Sequence, residues 1–272
     1  MPSVTLAFEP ARPVARLIFR SETGVPVLTA AVRQQLDEAL DRLEQDSSWR
    51  VLVLAAEGRT WLAGADIGEM CQFDPGKALA FSRAGQQRAD RLAALPGVTI
   101  AAIHGPCFGG GTELALACQL RLLADAATMA LPEVLLGVLP AWGGFVRCVE
   151  QLGTEAARWL ILTGQSAPAA ECLRLGLAQA VYPADQFAAE VDSVVEQLLK
   201  AAPQAVQTAR ALLTQFGTPA DRQRQLDAES RAFADCFRTG EPAEGMAAFL
   251  GKRPPAWPAT SSLPPVDGVS GR

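Results

Sequence analysis

Two carboxylates stand alone in apolar runs. Glu113 lies in Gly111-Thr-Glu-Leu-Ala-Leu-Ala-Cys118, and Glu133 lies in Leu131-Pro-Glu-Val-Leu-Leu-Gly-Val-Leu-Pro140. A carboxylate withdrawn from water is costly unless it is paired, protonated or working. Two of them, 20 positions apart, suit paired acid/base chemistry, in which one group gives a proton and the other takes one. Each also has a purely structural explanation. Glu113 could cap the positive end of the helix it opens, and Glu133 could begin a helical turn after Pro132.

Glycines flank both carboxylates. In Ile103-His-Gly-Pro-Cys-Phe-Gly-Gly-Gly-Thr-Glu113 an apolar strand runs through three glycines straight into a helix. Gly109, Gly110 and Gly111 allow close approach of a ligand, and the first helical amides have no internal partner. Such a turn suits an anion, or an oxygen that becomes one during reaction. The spacing does not match G-x-G-x-x-G, and Gly111 stands where a phosphate-binding loop needs lysine. A tight turn packed on neighbouring backbone is the structural alternative. Pro140-Ala-Trp-Gly-Gly144 opens the next helix in the same manner. Upstream, Ala63, Gly64 and Ala65 in Trp61-Leu-Ala-Gly-Ala-Asp-Ile67 are small enough to place a second amide opposite that of Gly110. Two amides converging on one carbonyl oxygen form an oxyanion hole, each donor worth roughly 3 kcal/mol in the transition state.

Other chemistries find little support. The six cysteines form no C-x-x-C pair and the chain has one histidine, His104. A zinc site is therefore not expected, and a Ser-His-Asp triad would rest on that one side chain. His104 ends a strand and reads as structural. The net charge of −5 argues against nucleic acid as the main partner. No apolar run approaches the roughly 20 residues of a membrane span, and no secretory leader is visible, so a soluble cytoplasmic protein is expected.

The elements that must position these groups follow from periodicity. Residues 4–8 and 13–19 read as an antiparallel pair. Residues 29–45 read as an amphipathic helix capped by Thr29, with Val32, Leu36, Leu40 and Leu43 on one face. Residues 51–56 and 99–103 are continuous apolar runs, as in strands buried on both faces. Helices are expected at 77–95 and from about 111, and a strand at Leu120–Leu123. Strands alternating with helices imply an α/β fold with a mainly parallel sheet. From about 143 the chain reads as nearly all helix, at 143–152, 154–163, 167–174, 186–200, 203–215, 219–237 and 241–251, with one strand at 178–182. This helical part is either a second layer on the sheet or an arm for another subunit. The end of the chain, from about 254, is rich in Pro, Ser and Gly and is expected to be disordered or a linker.

Together these residues resemble the crotonase (enoyl-CoA hydratase/isomerase) superfamily. The resemblance rests on Ala63-Gly-Ala-Asp66, on His104 to Cys118, on Pro132-Glu to Pro140-Ala-Trp-Gly-Gly144, and on a closing helix Glu244-Gly-Met-Ala-Ala-Phe-Leu-Gly-Lys-Arg253. It implies a spiral of repeated ββα units over residues 1–195, a helical oligomerisation region at 196–253 and a tail at 254–272. It implies an acyl-CoA thioester as substrate, with CoA part of the substrate and no separate cofactor or metal. The thioester oxygen would sit between the amides of Ala65 and Gly110. Glu113 would activate water and Glu133 would protonate Cα. Ala63, Gly64, Asp66, Gly109, Gly111, Pro140, Trp142 and Gly143 would line the substrate. Trimers or hexamers are implied. The chain departs from the family pattern at Val25–Thr29, which replaces an N-A-L-type signature, and at Gly68, where hydratases often carry lysine. Hydration of a trans-2-enoyl-CoA is the expected activity. Isomerisation, another acyl-CoA or acyl-carrier reaction such as dehydration or decarboxylation, and non-catalytic CoA binding are the alternatives.

Overall fold

The computed structural model describes residues 2–217 and 221–256. An antiparallel pair, β1 (Ser3–Phe8) and β2 (Val14–Arg20), opens the chain. α1 (Ala30–Gln45) starts as its sequence predicts: the Val32 amide donates to the Thr29 hydroxyl at 3.3 Å, and Val32, Leu36, Leu40 and Leu43 are buried. Then come β3 (Val51–Ala56), the short α2 (Ile67–Met70), α3 (Pro75–Ala94) and β4 (Val98–Ile103). β5 (Cys107–Phe108), α4 (Gly110–Ala117), β6 (Leu120–Ala124) and β7 (Thr128–Ala130) follow, and a 3-10 turn spans Glu133–Leu136. The remainder is α5 (Gly144–Thr163), β8 (Ala167–Pro168), α6 (Ala169–Leu175), β9 (Ala180–Tyr182), α7 (Phe187–Lys200), α8 (Pro203–Gly217), α9 (Arg222–Cys236) and α10 (Glu241–Leu250).

The main sheet has the order β1-β2-β3-β4-β6-β9, and every pairing from β2 onward is parallel. A second sheet has the order β5-β7-β8. β4, β5 and α4 form one turn of the chain; β6, β7 and α5 form the next. Each turn lays one strand in each sheet before a helix, which is the expected ββα spiral. The small sheet has no sequence signature, because strands of two or three residues are too short for alternation to register.

The main sheet is apolar on both faces, hence its unbroken apolar strands. In β3, Leu52 and Leu54 join the core that includes Leu36, Leu40 and Leu114. Val51 and Val53 pack with Val191 and Val195 of α7. The two helices expected at 143–152 and 154–163 abut at Gly153, whose φ of 77° and ψ of 163° break α5. Among the C-terminal helices, α9 packs on α3, and α10 packs on the 3-10 turn and α2 of its own chain. The Ser82 and Ser230 hydroxyls meet at 2.8 Å, and Gln86 Nε2 donates to Leu226 O at 2.9 Å, tying α9 to α3. Residues 257–272, most of the expected tail, lie outside the described residues. Among the described residues no helix is long and apolar enough to cross a membrane.

Candidate active site

The two small-residue turns meet as their composition predicts. Gly64 has φ +90°, and a Cβ built there would lie 2.9 Å from Phe108 O and 3.3 Å from the Gly110 nitrogen. Only glycine lets these backbones approach so closely. A Cβ at Gly110 would in turn lie 3.8 Å from the Ala65 nitrogen. Among the described residues, neither the Ala65 nor the Gly110 amide donates to a backbone carbonyl. Two unengaged donors thus stand side by side at the entrance of α4.

Glu113 sits in the first turn of α4, which is buried along its whole length. Its side chain reaches the second glycine turn. Trp142 N–H and Gly144 N–H both donate to Glu113 Oε1, at 2.7 and 2.9 Å. The other oxygen, Oε2, receives no hydrogen bond among the described residues. Gly144 makes room for this contact: a Cβ there would stand 2.4 Å from Glu113 Cγ and 2.5 Å from Oε1. Glu113 is therefore no simple cap of its own helix; it caps α5 from outside.

Glu133 opens the 3-10 turn after Pro132. Its carboxyl points inward beside Gly109, whose Cβ would lie 3.1 Å from Glu133 Oε1. Glu133 Oε2 is buried without a hydrogen-bond partner among the described residues. Burial raises both carboxyls, that of Glu133 to about 8, and the charge of Glu133 adds to the rise at Glu113. The two titrate as a coupled pair. The hydrogen bonds decide where the charge resides: the Trp142 and Gly144 amides favour the ionised form of Glu113, whereas among the described residues an ionised Glu133 has only its own backbone amide. The pair is thus preset as a base, Glu113, beside an acid, Glu133.

A third buried carboxylate completes the surroundings. Glu229 of α9 accepts from Gly143 N–H at 2.6 Å and from Val146 N–H at 3.1 Å. Sequence reasoning missed it, because α9 is polar overall. The available signal was spacing: Leu226, Glu229 or Ser230, and Phe233 recur every three to four residues, which puts Glu229 on the buried face.

Glu113 and Glu133 face one cavity of about 510 Å³, its open mouth included. Ala63, Gly64, Ala65, Gly109, Gly110 and Trp142 line it, as expected. The apolar walls add Ile67, Met70, Phe81, Leu136, Val138 and Phe233, which the sequence did not single out. Four expected residues, Asp66, Gly111, Pro140 and Gly143, are not among the cavity's lining. Asp66 caps α2, accepting from the Gly68 and Glu69 amides. Gly111 packs on Leu62, where a Cβ would meet Leu62 O at 2.6 Å. Pro140 is buried outside the lining, and the amide of Gly143 is held by Glu229. His104 Nε2 lies 2.9 Å from Gly58 O, in keeping with a structural role.

Trp142 is buried against α3. A Cβ at Gly85 would fall 2.0 Å from Trp142 Cδ1, and Phe81 lies 5.4 Å away, centroid to centroid. Gly85 is therefore the socket for the indole. Gly85→Ala is expected to destabilise the fold by roughly 1–3 kcal/mol through overpacking. It should also lower turnover, since the Trp142 amide that holds Glu113 moves with the ring. Thermal unfolding and steady-state kinetics on one variant check both effects.

The chain is similar to proteins of known name. The family model described as enoyl-CoA hydratase/isomerase matches residues 12–260. A short-chain-enoyl-CoA hydratase of Clostridium acetobutylicum is 31% identical over 241 residues, covering 88% of this chain and 92% of that protein. A crotonyl-CoA hydratase of Syntrophomonas wolfei is 32% identical over 220 residues, covering 80% of this chain and 84% of that protein. The crystal structure of an enoyl-CoA hydratase from Mycobacterium avium subsp. paratuberculosis K-10 superposes with a TM-score of 0.84 at 26% identity. That match covers 94% of this chain and 99% of the other. With its ββα spiral, its paired glutamates and its facing glycine turns, this chain belongs to the enoyl-CoA hydratase/isomerase family.

Proposed function

We propose that the chain hydrates a trans-2-enoyl-CoA thioester. The observation that carries this reading is the placement of Glu113 and Glu133 on one apolar cavity beside the unengaged amides of Ala65 and Gly110. The thioester carbonyl accepts from those two amides, which draws electron density from Cβ. Glu113, ionised, takes a proton from a water at its free Oε2 as that water adds to Cβ. The enolate oxygen is held between the two amides, where preorganised donors are most effective. Glu133, neutral, gives its proton to Cα. The proton taken by Glu113 then passes to Glu133, by way of solvent once product has left, and the site is reset. The cavity walls favour an apolar acyl group, because Ile67, Met70, Phe81, Leu136, Val138 and Phe233 make up much of the lining.

The test is turnover of crotonyl-CoA with product identification. Formation of 3-hydroxybutyryl-CoA supports hydration. Inertness towards crotonyl-CoA, combined with movement of the double bond in a 3-enoyl-CoA, would assign isomerisation instead. The pH dependence adds a signed expectation. The acid is Glu133, raised to about 8. The rate therefore falls as pH rises through about 8, because Glu133 then lacks the proton for Cα. It falls at the acid end as Glu113 becomes protonated. A kcat/KM profile from pH 5 to 10 checks both limbs.

We also read the chain as assembling into trimers or hexamers. Exposed Leu162, Leu213 and Phe249, at 69%, 73% and 59%, support a partner surface.

A further inference from the structure

The helix end that holds Glu113 is gripped by a second carboxylate. Residues 142–146 lead into the first turn of α5, and four of their amides are shared between two acids. Trp142 N–H and Gly144 N–H go to Glu113 Oε1. Gly143 N–H goes to Glu229 Oε1, and Val146 N–H goes to Glu229 Oε2. Glu229 comes from α9, 86 positions beyond Gly143, and is only 6% exposed. Gln86 of α3 donates to its Oε1 at 3.1 Å.

Capping of α5 does not explain this arrangement. Unpartnered amides at a helix start need acceptors, yet one carboxylate suffices for an ordinary cap. Placing two buried acids on one turn makes them repel, which costs stability. Each acid also takes alternate amides, so neither can shift without moving the other's partners. The Glu113 Oε1 contacts are correct only while the 142–146 backbone keeps its present course. Glu229 holds that course through the Gly143 and Val146 amides.

We propose that Glu229 is a positioning residue for the reaction: by holding the Gly143 and Val146 amides it fixes the Trp142 and Gly144 amides on Glu113, and so aims the free Glu113 oxygen at the attacking water. The inference rests on the hydration reading given above. Glu229 also acts through charge. It raises Glu113 and Glu133 from α9, while Arg147 of α5 favours its own ionised form. Asp90 of α3 pairs with Arg147, and Arg222 of α9 and Glu150 of α5 complete the charged surroundings. Burial raises Glu229 only to about 6, so it is ionised at neutral pH.

Two variants separate position from charge. Glu229→Asp keeps the charge and withdraws the carboxylate by one methylene. Its hydration kcat is expected to fall roughly 10- to 100-fold, the size of effect that a misplacement of about 1 Å produces. KM should stay within about threefold, and the pH limbs should not move. Glu229→Gln keeps the length but accepts from only one of the two amides through its single carbonyl oxygen. Its kcat should fall similarly, and both limbs should shift to lower pH, because the charge that raised Glu113 and Glu133 is gone. A merely structural contact would lower the Tm and leave the limbs in place. Hydrogen exchange over residues 140–148 reads the clamp without substrate, and both variants should lose protection by about tenfold or more. If Glu229→Gln does not fold, Glu229→Asp carries the test through kcat and exchange. Folded variants with unchanged exchange and wild-type kinetics overturn the inference. If wild type hydrates no enoyl-CoA while both variants lose protection, the clamp stands and the hydratase reading falls.

Discussion

Glu113→Gln is expected to lower hydration of an enoyl-CoA by about 10³-fold or more, with KM little changed. The amide has the same shape, and its carbonyl oxygen can still accept from Trp142 N–H and Gly144 N–H at the present 2.7 and 2.9 Å. The turn into α5 is therefore preserved, and what is lost is basicity. General-base catalysis alone contributes about 10²- to 10⁴-fold. Here the same carboxylate also orients the water, so the loss belongs at the upper end. Stability should move the other way. Burial penalises the charge of Glu113, and the neighbouring Glu133 and Glu229 penalise it further. Removing that charge is expected to leave the Tm equal or higher. Kinetics and thermal unfolding on the same preparation check both signs; a less stable and equally active variant would mean that Glu113 is only a cap.

Gly64→Ala is the second change with a large expected effect. Its φ of +90° is a conformation that L side chains rarely adopt, and the new Cβ would lie 2.9 Å from Phe108 O. That oxygen belongs to backbone and cannot swing away. The turn must open, carrying the Ala65 amide away from the Gly110 amide. Loss of one oxyanion donor costs about 10²- to 10³-fold in kcat, and Gly64→Ala should fall in that range. Because the amides matter most when the oxygen is charged, kcat should suffer more than substrate affinity. Product-forming rate and binding of a saturated acyl-CoA, measured separately, show the split. Equal weakening of both would place Gly64 in substrate binding alone.

The site was legible where a single residue contradicts its neighbours. Glu113 and Glu133 are lone charges in apolar runs, and burial makes such charges conspicuous. Gly64, Gly109 and Gly110 were legible because strand-to-helix turns with no Cβ have few other uses. Glu229 was hidden for the opposite reason: in Arg222–Cys236 charges are common, so one more does not stand out. Its burial depends on α9 lying along α3, a contact over about 140 positions that no local pattern encodes. The same limit applies to Trp142, whose socket at Gly85 is set by tertiary packing. Asp66 shows the converse. Its place in the Ala-Gly-Ala-Asp motif suggested the substrate, yet its carboxylate accepts from Gly68 and Glu69 and starts α2. In the fold, the long apolar strands and the Thr29 cap were readable. The small sheet was not, since strands of two or three residues take their identity from partners far along the chain.

The central claim is that Glu113 and Glu133 act as one unit in one hydration step, as base and acid. The most direct measurement is crotonyl-CoA hydration, followed by loss of the enoyl-thioester absorbance, for wild type, Glu113→Ala, Glu133→Ala and the double variant. Groups that act as a unit are strongly non-additive. The account predicts that each single variant loses about three orders of magnitude or more and that the double variant loses little beyond the worse single. A single variant that keeps activity within about tenfold of wild type, or losses that simply multiply in the double variant, would contradict it.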